Sequence, residues 1–232
     1  MLDILIMNGF EAYTLRDHKR ALRLIEYFVD SILFINIDEG MPEAQWEAYI
    51  RGIQENEKTK GCRIGILSYN TNAALMQKYL MDIAVPCGYI QLKLGLQEST
   101  RIIITALEAN EARGRRKHIR ASCEEDINAV LNFKSSHDTL FHGKLLDISS
   151  AGFAVQLDQP LNVEPNTVIE DIQMRLRGGI VRTNAVALGK RRGNDNVWIF
   201  LINPSQMERE TKLIIHRFIK HCLQRYIDQF QV

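Results

Sequence analysis

No apolar run in this 232-residue chain approaches the roughly 18 residues needed to span a bilayer, so we expect no membrane insertion. The first residues, Met1-Leu2-Asp3, do not begin a basic region followed by an apolar stretch and a cleavage site, so we expect no signal peptide. There is no CxxC pair, and the four cysteines are far apart in the sequence: Cys62, Cys87, Cys123 and Cys222. This spacing argues against a disulfide framework or a zinc site and is typical of reduced thiols. We therefore expect a cytoplasmic protein.

Residue patterns typical of catalysis or metal binding are also lacking. The six histidines form no HExxH or comparable metal-ligand spacing, and His216 and His221 lie on different faces of a helix because they are five residues apart. No nucleophile, general base and orienting residue stand in a recognisable set. We therefore expect no enzyme, no metal site and no cofactor.

The net charge of +1 conceals an uneven distribution. Residues 1–112 contain 11 Lys/Arg and 15 Asp/Glu, a net charge of −4, whereas residues 113–232 contain 18 and 13, a net charge of +5. An anionic ligand is therefore expected to bind the second half.

In residues 1–112, strand-like and helix-like segments alternate. Short apolar runs predict strands at 2–7, 12–15, 31–37, 62–68 and 88–92. Helical spacing predicts helices at 18–29, from Pro42 onward, at 71–84 and at 95–112. This alternation predicts an α/β domain with a parallel sheet and flanking helices.

The order of these elements resembles a response-regulator receiver. A working receiver needs an acidic pair after its first strand to hold Mg²⁺, and here Met7-Asn8-Gly9-Phe10 follows that run, with no first helix after it. We therefore interpret residues 1–112 as a degenerate receiver-like regulatory or interaction domain. Asp38, which follows the strand at 31–37, is expected to be structural rather than phosphorylated.

Residues 113–232 have the pattern of a small antiparallel barrel. Short β-rich runs occur at 127–134, 139–147, 152–157, 167–176, 179–189 and 196–202, several separated by Gly and Asn/Asp clusters. We expect a basic linker at 113–120, a barrel to about residue 203 and a C-terminal helix at 205–229, which Ser205 and Glu208 would begin as a capping box. That helix carries an apolar stripe for packing or, alternatively, a homodimer contact: Ile215, Phe218, Ile219, Cys222, Tyr226 and Phe230.

Two segments of the second half carry the chemistry of an anion site. Arg113 to Arg120 concentrates guanidinium groups, which form bidentate hydrogen bonds with phosphate and stack on bases. Asp147-Ile148-Ser149-Ser150-Ala151-Gly152 offers a carboxylate that can accept hydrogen bonds from a purine edge, a hydroxyl, and a glycine that allows close backbone approach or positive φ. Together they describe a pocket for an anionic, guanine-like ligand.

The two segments resemble the RxxxR and D/NxSxxG motifs of the PilZ family, as Arg116–Arg120 and Asp147–Gly152, and the likeness covers residues 113–232. The resemblance implies a six-stranded antiparallel barrel that binds cyclic di-GMP without catalysis. Arg116 and Arg120 would grip the phosphates and the guanines, Asp147 and Ser149 would contact the guanine edge, and Gly152 would let the backbone turn beneath the base. The last strand departs from the family's Gly-Val-x-Phe pattern, with Trp198-Ile199 before Phe200.

Arg115, the residue before this motif, adds a third guanidinium, which suits two stacked cyclic di-GMP molecules per chain. On this interpretation the ligand orders residues 113–120 and changes the behaviour of an unidentified protein partner, through the N-terminal domain. The alternative is a nucleic-acid-binding protein that uses the same basic segment. Aromatic residues for base stacking are not clustered in the barrel, which favours the receptor and argues against a nucleic-acid partner.

Overall fold

The computed structural model describes residues 1–112, 118–135, 138–203 and 207–231. The chain divides into two compact units. The first contains Met1–Leu5, Thr14–Arg115 and Phe230–Val232, and the second contains Ile6–Tyr13 and Arg116–Gln229. Among the described residues, no helix combines the length and the hydropathy required to cross a membrane.

The first unit contains a parallel sheet with helices. Its elements within residues 1–112 are α2 (His18–Tyr27), β1 (Ile32–Asn36), α3 (Glu43–Glu55), β2 (Arg63–Ser68), α4 (Ala73–Gln77) with a π-helical turn at Lys78–Asp82, β3 (Tyr89–Gln91), a 3₁₀ turn at Leu92–Leu94 and α5 (Leu96–Ala109). The three strands are parallel, in the order β1-β2-β3. The predicted parallel sheet with flanking helices is confirmed.

The core of this unit follows from the spacing of its apolar residues. On α3, the buried residues are Trp46, Ile50 and Ile53, which lie on one helical face. The central strand β2 contributes Ile64 and Ile66, and neither has any exposed surface. An extended apolar run bounded by helices is typical of such a strand, because both faces of the sheet are covered.

The two strands predicted before α2 are not present. Residues 2–7 form a helix, α1 (Leu2–Met7), and residues 12–15 form no strand, although all of them are described. The amides of Ile4 and Leu5 donate to the carbonyl of Met1, at 3.0 and 3.2 Å. A short apolar run does not by itself distinguish a strand from a buried helical turn, and the helix places Leu5 and Ile6 where both are buried.

The second unit is a closed antiparallel barrel with a C-terminal helix. Its elements, in the described part of the unit, are β4 (Arg120–Ser122), β5 (Val130–Lys134), β6 (Leu140–Ser149), β7 (Gly152–Leu157), β8 (Thr167–Leu176), β9 (Gly179–Arg191), β10 (Asn194–Ile202) and α6 (Arg209–Gln229). The strand order is β4-β6-β5-β8-β9-β10-β7, and pairing of β6 with β7 closes the ring from β5 to β10. The predicted six-stranded antiparallel barrel with a C-terminal helix is confirmed, and β4 is an additional strand on β6.

Aromatic residues fill the barrel and show that the departure in the last strand is accommodated. Phe153 and Phe200 are stacked with ring centroids 5.1 Å apart, and Phe133 meets Phe200 edge-on at 6.1 Å. Trp198 is also buried. Strand β10 pairs with both β7 and β9, so the barrel closes without the expected glycine.

The apolar stripe of α6 packs within the chain. Helix α6 contacts β4, β6, β8 and β9, and its buried residues are Ile215, Phe218, Ile219, Cys222, Leu223 and Ile227. This packing accounts for most of the predicted stripe, while a homodimer contact stays a prediction. Helix α6 begins at Arg209, and Ser205 of the predicted capping box lies outside the described residues.

Candidate ligand-binding site

The short strand β4 brings the two predicted motifs together. It pairs antiparallel with β6, so that Arg120 lies opposite Ser149 and Ser122 lies opposite Asp147. Directly opposite residues share a face of the sheet. The alternate residues Ala121 and Ile148 point into the barrel and are buried, which leaves the face with Arg120 and Asp147 on the outside.

Arg120 and Asp147 form an ion pair on this outer face. Arg120 Nε lies 3.3 Å from Asp147 Oδ1, with 46% of the arginine side chain and 18% of the aspartate side chain exposed. This distance is longer than the 2.7–2.9 Å typical of a charge-assisted hydrogen bond. Within the described part of the chain, the buried Oδ1 atom accepts no well-aligned hydrogen bond. The carboxylate therefore retains acceptor capacity for a ligand.

Ser149 and Gly152 shape the turn between β6 and β7. The Ser149 hydroxyl donates to the carbonyl of Gly152 at 3.0 Å and accepts from the amide of Ala151 at 3.3 Å. Ser149 is buried, and its predicted contact with guanine stays a prediction. A Cβ atom on Gly152 would lie 2.2 Å from the carbonyl oxygen of Phe200, so the structural reason for this glycine is close approach of β7 to β10.

Two of the predicted ligand arginines, Arg115 and Arg116, lie outside the described residues, and their contacts stay predictions. The next described residue, His118, forms a hydrogen bond between its Nδ1 and the Ser150 hydroxyl at 3.0 Å. This bond joins the interior of the RxxxR segment to the interior of the DxSxxG segment. Neither residue was singled out from the sequence, because the motif pattern leaves both positions unspecified.

A cavity of about 300 Å³ adjoins this connection within the second unit. Its walls include Asn8 from the N-terminal segment, His118, Ser150 and His216 of α6. The Nδ1 atom of His216 is buried and has no hydrogen-bond partner among the described residues. Burial, together with the charge of Lys212, lowers the pKa of His216, so its imidazole is neutral at physiological pH.

In the first unit, both oxygens of Asp38 are engaged. The Ser68 hydroxyl donates to Oδ1 at 2.5 Å, and the amide of Tyr69 donates to Oδ2 at 2.6 Å. These bonds tie the end of β1 to the end of β2, which gives Asp38 a structural role; its phosphorylation behaviour stays a prediction. Among the described residues, no group of three or more His, Cys, Asp or Glu side chains is arranged to hold a metal ion.

Comparison with models of known protein families found no match, and neither did comparison with curated proteins. Comparison with solved structures found matches at low sequence identity. One is the PilZ domain with c-di-GMP of YcgR from Escherichia coli, with 14% identity, a TM-score of 0.42, and coverage of 50% of this chain and 100% of that chain.

Two further matches are longer proteins. The K. pneumonia MrkH–c-di-GMP complex matches with 12% identity and a TM-score of 0.38, over 45% of this chain and 50% of that chain. The Bacillus subtilis inhibitor of motility MotI matches with 16% identity and a TM-score of 0.36, over 50% of this chain and 53% of that chain. The chain therefore spans about half the length of these two proteins.

Proposed function

We propose that this protein is a non-enzymatic receptor that binds cyclic di-GMP on the outer face of the barrel, where β4, β6 and β7 meet. The observation that carries this proposal is the Arg120–Asp147 pair, in which a guanidinium and a carboxylate from two distant motifs lie 3.3 Å apart on the outer face of the barrel. Guanidinium groups bind phosphate, and a carboxylate accepts hydrogen bonds from the N–H groups of a guanine edge.

The surface beside this pair is suited to a flat base. On β7, Ala154 lies opposite Asp147, and Ile199 of β10 lies opposite Ala154. Small and apolar side chains therefore continue the outer face next to the carboxylate. The net charge of +5 over residues 113–232 favours an anionic ligand there.

In this proposal, the receptor is also an adaptor that changes the behaviour of a protein partner when the ligand binds. Arg115 and Arg116 close over the ligand from residues 113–120, and the ordering of that segment changes the contacts that a cytoplasmic protein partner makes with the N-terminal domain. A dianionic ligand favours this ordering because it neutralises arginines that repel one another.

Calorimetric titration with cyclic di-GMP tests the proposal. Arg120→Ala and Asp147→Ala should each weaken binding about ten- to hundred-fold, because each removes a charged hydrogen-bonding partner worth roughly 1.5–3 kcal/mol. Arg182→Ala is the matched control, since Arg182 is exposed on β9, opposite β6 in the ring.

The proposal fails if wild-type protein does not bind, or if Arg120→Ala binds as tightly as wild type. Displacement of labelled cyclic di-GMP by an oligonucleotide would favour the nucleic-acid alternative instead.

A further inference from the structure

The outer face of the barrel continues beyond Asp147 to a second row of residues. Lys144 on β6, Gln156 on β7 and Val197 on β10 lie directly opposite one another. On β7 this row is two residues from the row that contains Asp147, a separation of roughly 7 Å along the strand. A ligand that is held at Asp147 and is larger than a single base can therefore extend along β7 to the second row.

A recess of about 480 Å³ lies at this second row. A β-bulge between Leu145 and Asp147 inserts Leu146 into its wall. The opposite wall is the β9–β10 hairpin, where the ladder is irregular between Asn194 and Trp198. Bulges commonly re-aim side chains next to binding sites, and here two irregularities border the same depression.

The charge in the recess is predominantly positive. Lys144 donates from Nζ to the backbone carbonyl of Glu124 at 2.8 Å, which fixes its ammonium group at the wall. The side chains of Arg191 and Arg192 are exposed and form no hydrogen bond or ion pair within the described part of the chain, although the backbone of Arg191 pairs with Asn194. With Glu124 as the carboxylate in the wall, three cations face one anion.

Two apolar residues, Leu146 and Val197, also line the recess. Val197 is on the outer face but only 2% exposed, and Leu146 is half-buried. Unpaired guanidinium groups beside apolar residues fit a ligand that carries both phosphate and a flat ring, because guanidinium groups bind phosphate in a bidentate manner and stack on planar groups.

We propose that this recess is a second phosphate subsite, in which Arg191, Arg192 and Lys144 bind a phosphate of the cyclic di-GMP that is held at Asp147. The inference rests on the proposed function and extends it. Cyclic di-GMP has two phosphodiester groups, and Arg120 is placed near the first row only. The recess supplies further cations at the next row.

The test compares two double variants that each remove two exposed arginine charges. Arg191→Gln/Arg192→Gln changes the recess, and Arg175→Gln/Arg182→Gln changes exposed positions of β8 and β9 that do not line it. Calorimetric titration with cyclic di-GMP at low salt should show binding at least about ten-fold weaker for the recess variant, and a smaller dependence on salt. The control variant should bind as wild type does. Equal thermal unfolding of both variants would show that the fold is intact.

Each remaining outcome overturns the inference in a distinguishable way. Wild-type affinity in the recess variant, with loss of affinity in Arg120→Ala, removes the subsite and leaves the proposed function intact. Equal weakening in both double variants would mean that only long-range charge matters. No binding by wild type removes the proposed function and this subsite together. Protection of residues 191–194 from hydrogen exchange by inorganic phosphate alone, as strong as by cyclic di-GMP, would indicate a free-anion site instead.

Discussion

Substitution of Gly152 by alanine tests whether the turn between the two motif strands is built by close backbone approach. The added Cβ would lie 2.2 Å from the carbonyl oxygen of Phe200. Cβ atoms in proteins do not come closer than 3.0 Å to such an atom. Strands β7 and β10 must therefore separate by about 0.8 Å, which is 3.0 Å minus 2.2 Å. The obstacle is a backbone carbonyl in a paired strand, so no side chain can rotate away. The neighbouring bond from the Ile202 amide to the Ala151 carbonyl, 2.9 Å long, would be stretched as well.

The expected cost can be estimated from these two effects. Overpacking of a well-packed site costs roughly 1–3 kcal/mol, and a weakened backbone hydrogen bond adds about 0.5–1.5 kcal/mol. We therefore expect Gly152→Ala to lower the free energy of unfolding of the barrel by about 2–4 kcal/mol. In urea, the transition should move to lower concentration.

The fluorescence of Trp198 reports on the barrel when the other tryptophan is removed by Trp46→Phe, because the chain has two tryptophans and Trp46 belongs to the first unit. Gly52→Ala, followed by the fluorescence of Trp46 in a Trp198→Phe background, is the control for the substitution itself, since a Cβ there meets no atom within 4 Å. As Gly52 lies inside α3, this control should raise stability by roughly 0.5–1 kcal/mol. Unchanged unfolding of Gly152→Ala with loss of ligand binding would refute the reasoning and show that the glycine serves the ligand.

Two other predictions concern groups with defined surroundings. Asp38 should take up no stable phosphoryl group from a small phosphodonor with Mg²⁺, because its oxygens already accept bonds from Ser68 and Tyr69; a phosphoprotein band that disappears in Asp38→Asn would contradict this. The free energy of unfolding should fall as the pH drops from neutral to below 6.5, because burial and Lys212 lower the pKa of His216 in the folded state and the unfolded chain then binds more protons. In urea titrations at several pH values, the free energy of unfolding of His216→Gln should decrease less over this pH range than that of the wild type. An unchanged pH dependence of the free energy of unfolding would contradict this prediction.

Much of the architecture could be predicted because it depends on local pattern. The continuous apolar runs of β1 and β2 and the helical spacing of α3 and α5 each lie within a dozen or so residues. The prediction was wrong for residues 2–7, where a run of five apolar residues and Asp3 fits a strand and a helical turn equally well.

The site could be predicted only in part, because its geometry depends on pairing between distant strands. The motifs name Arg120 and Asp147, but their contact requires the three-residue strand β4, which is too short to be recognised from periodicity. Lys144 and the arginines of the β9–β10 hairpin line one recess because of a bulge and the closure of the ring. Neither the bulge nor the register is encoded by a short pattern.

On the proposed function, the Arg120–Asp147 pair affects ligand binding in two opposite ways. It holds both groups on the same part of the outer face before a ligand arrives, which reduces the ordering cost of binding. It also occupies the guanidinium, which a phosphate must then share or displace. The competition is weak, because a pair with a 46% exposed arginine contributes only about 0–1 kcal/mol. A phosphate that engages the same guanidinium in a bidentate manner gains more than this. The pair therefore favours binding by positioning the two side chains, and the carboxylate that it releases is free to accept hydrogen bonds from the base.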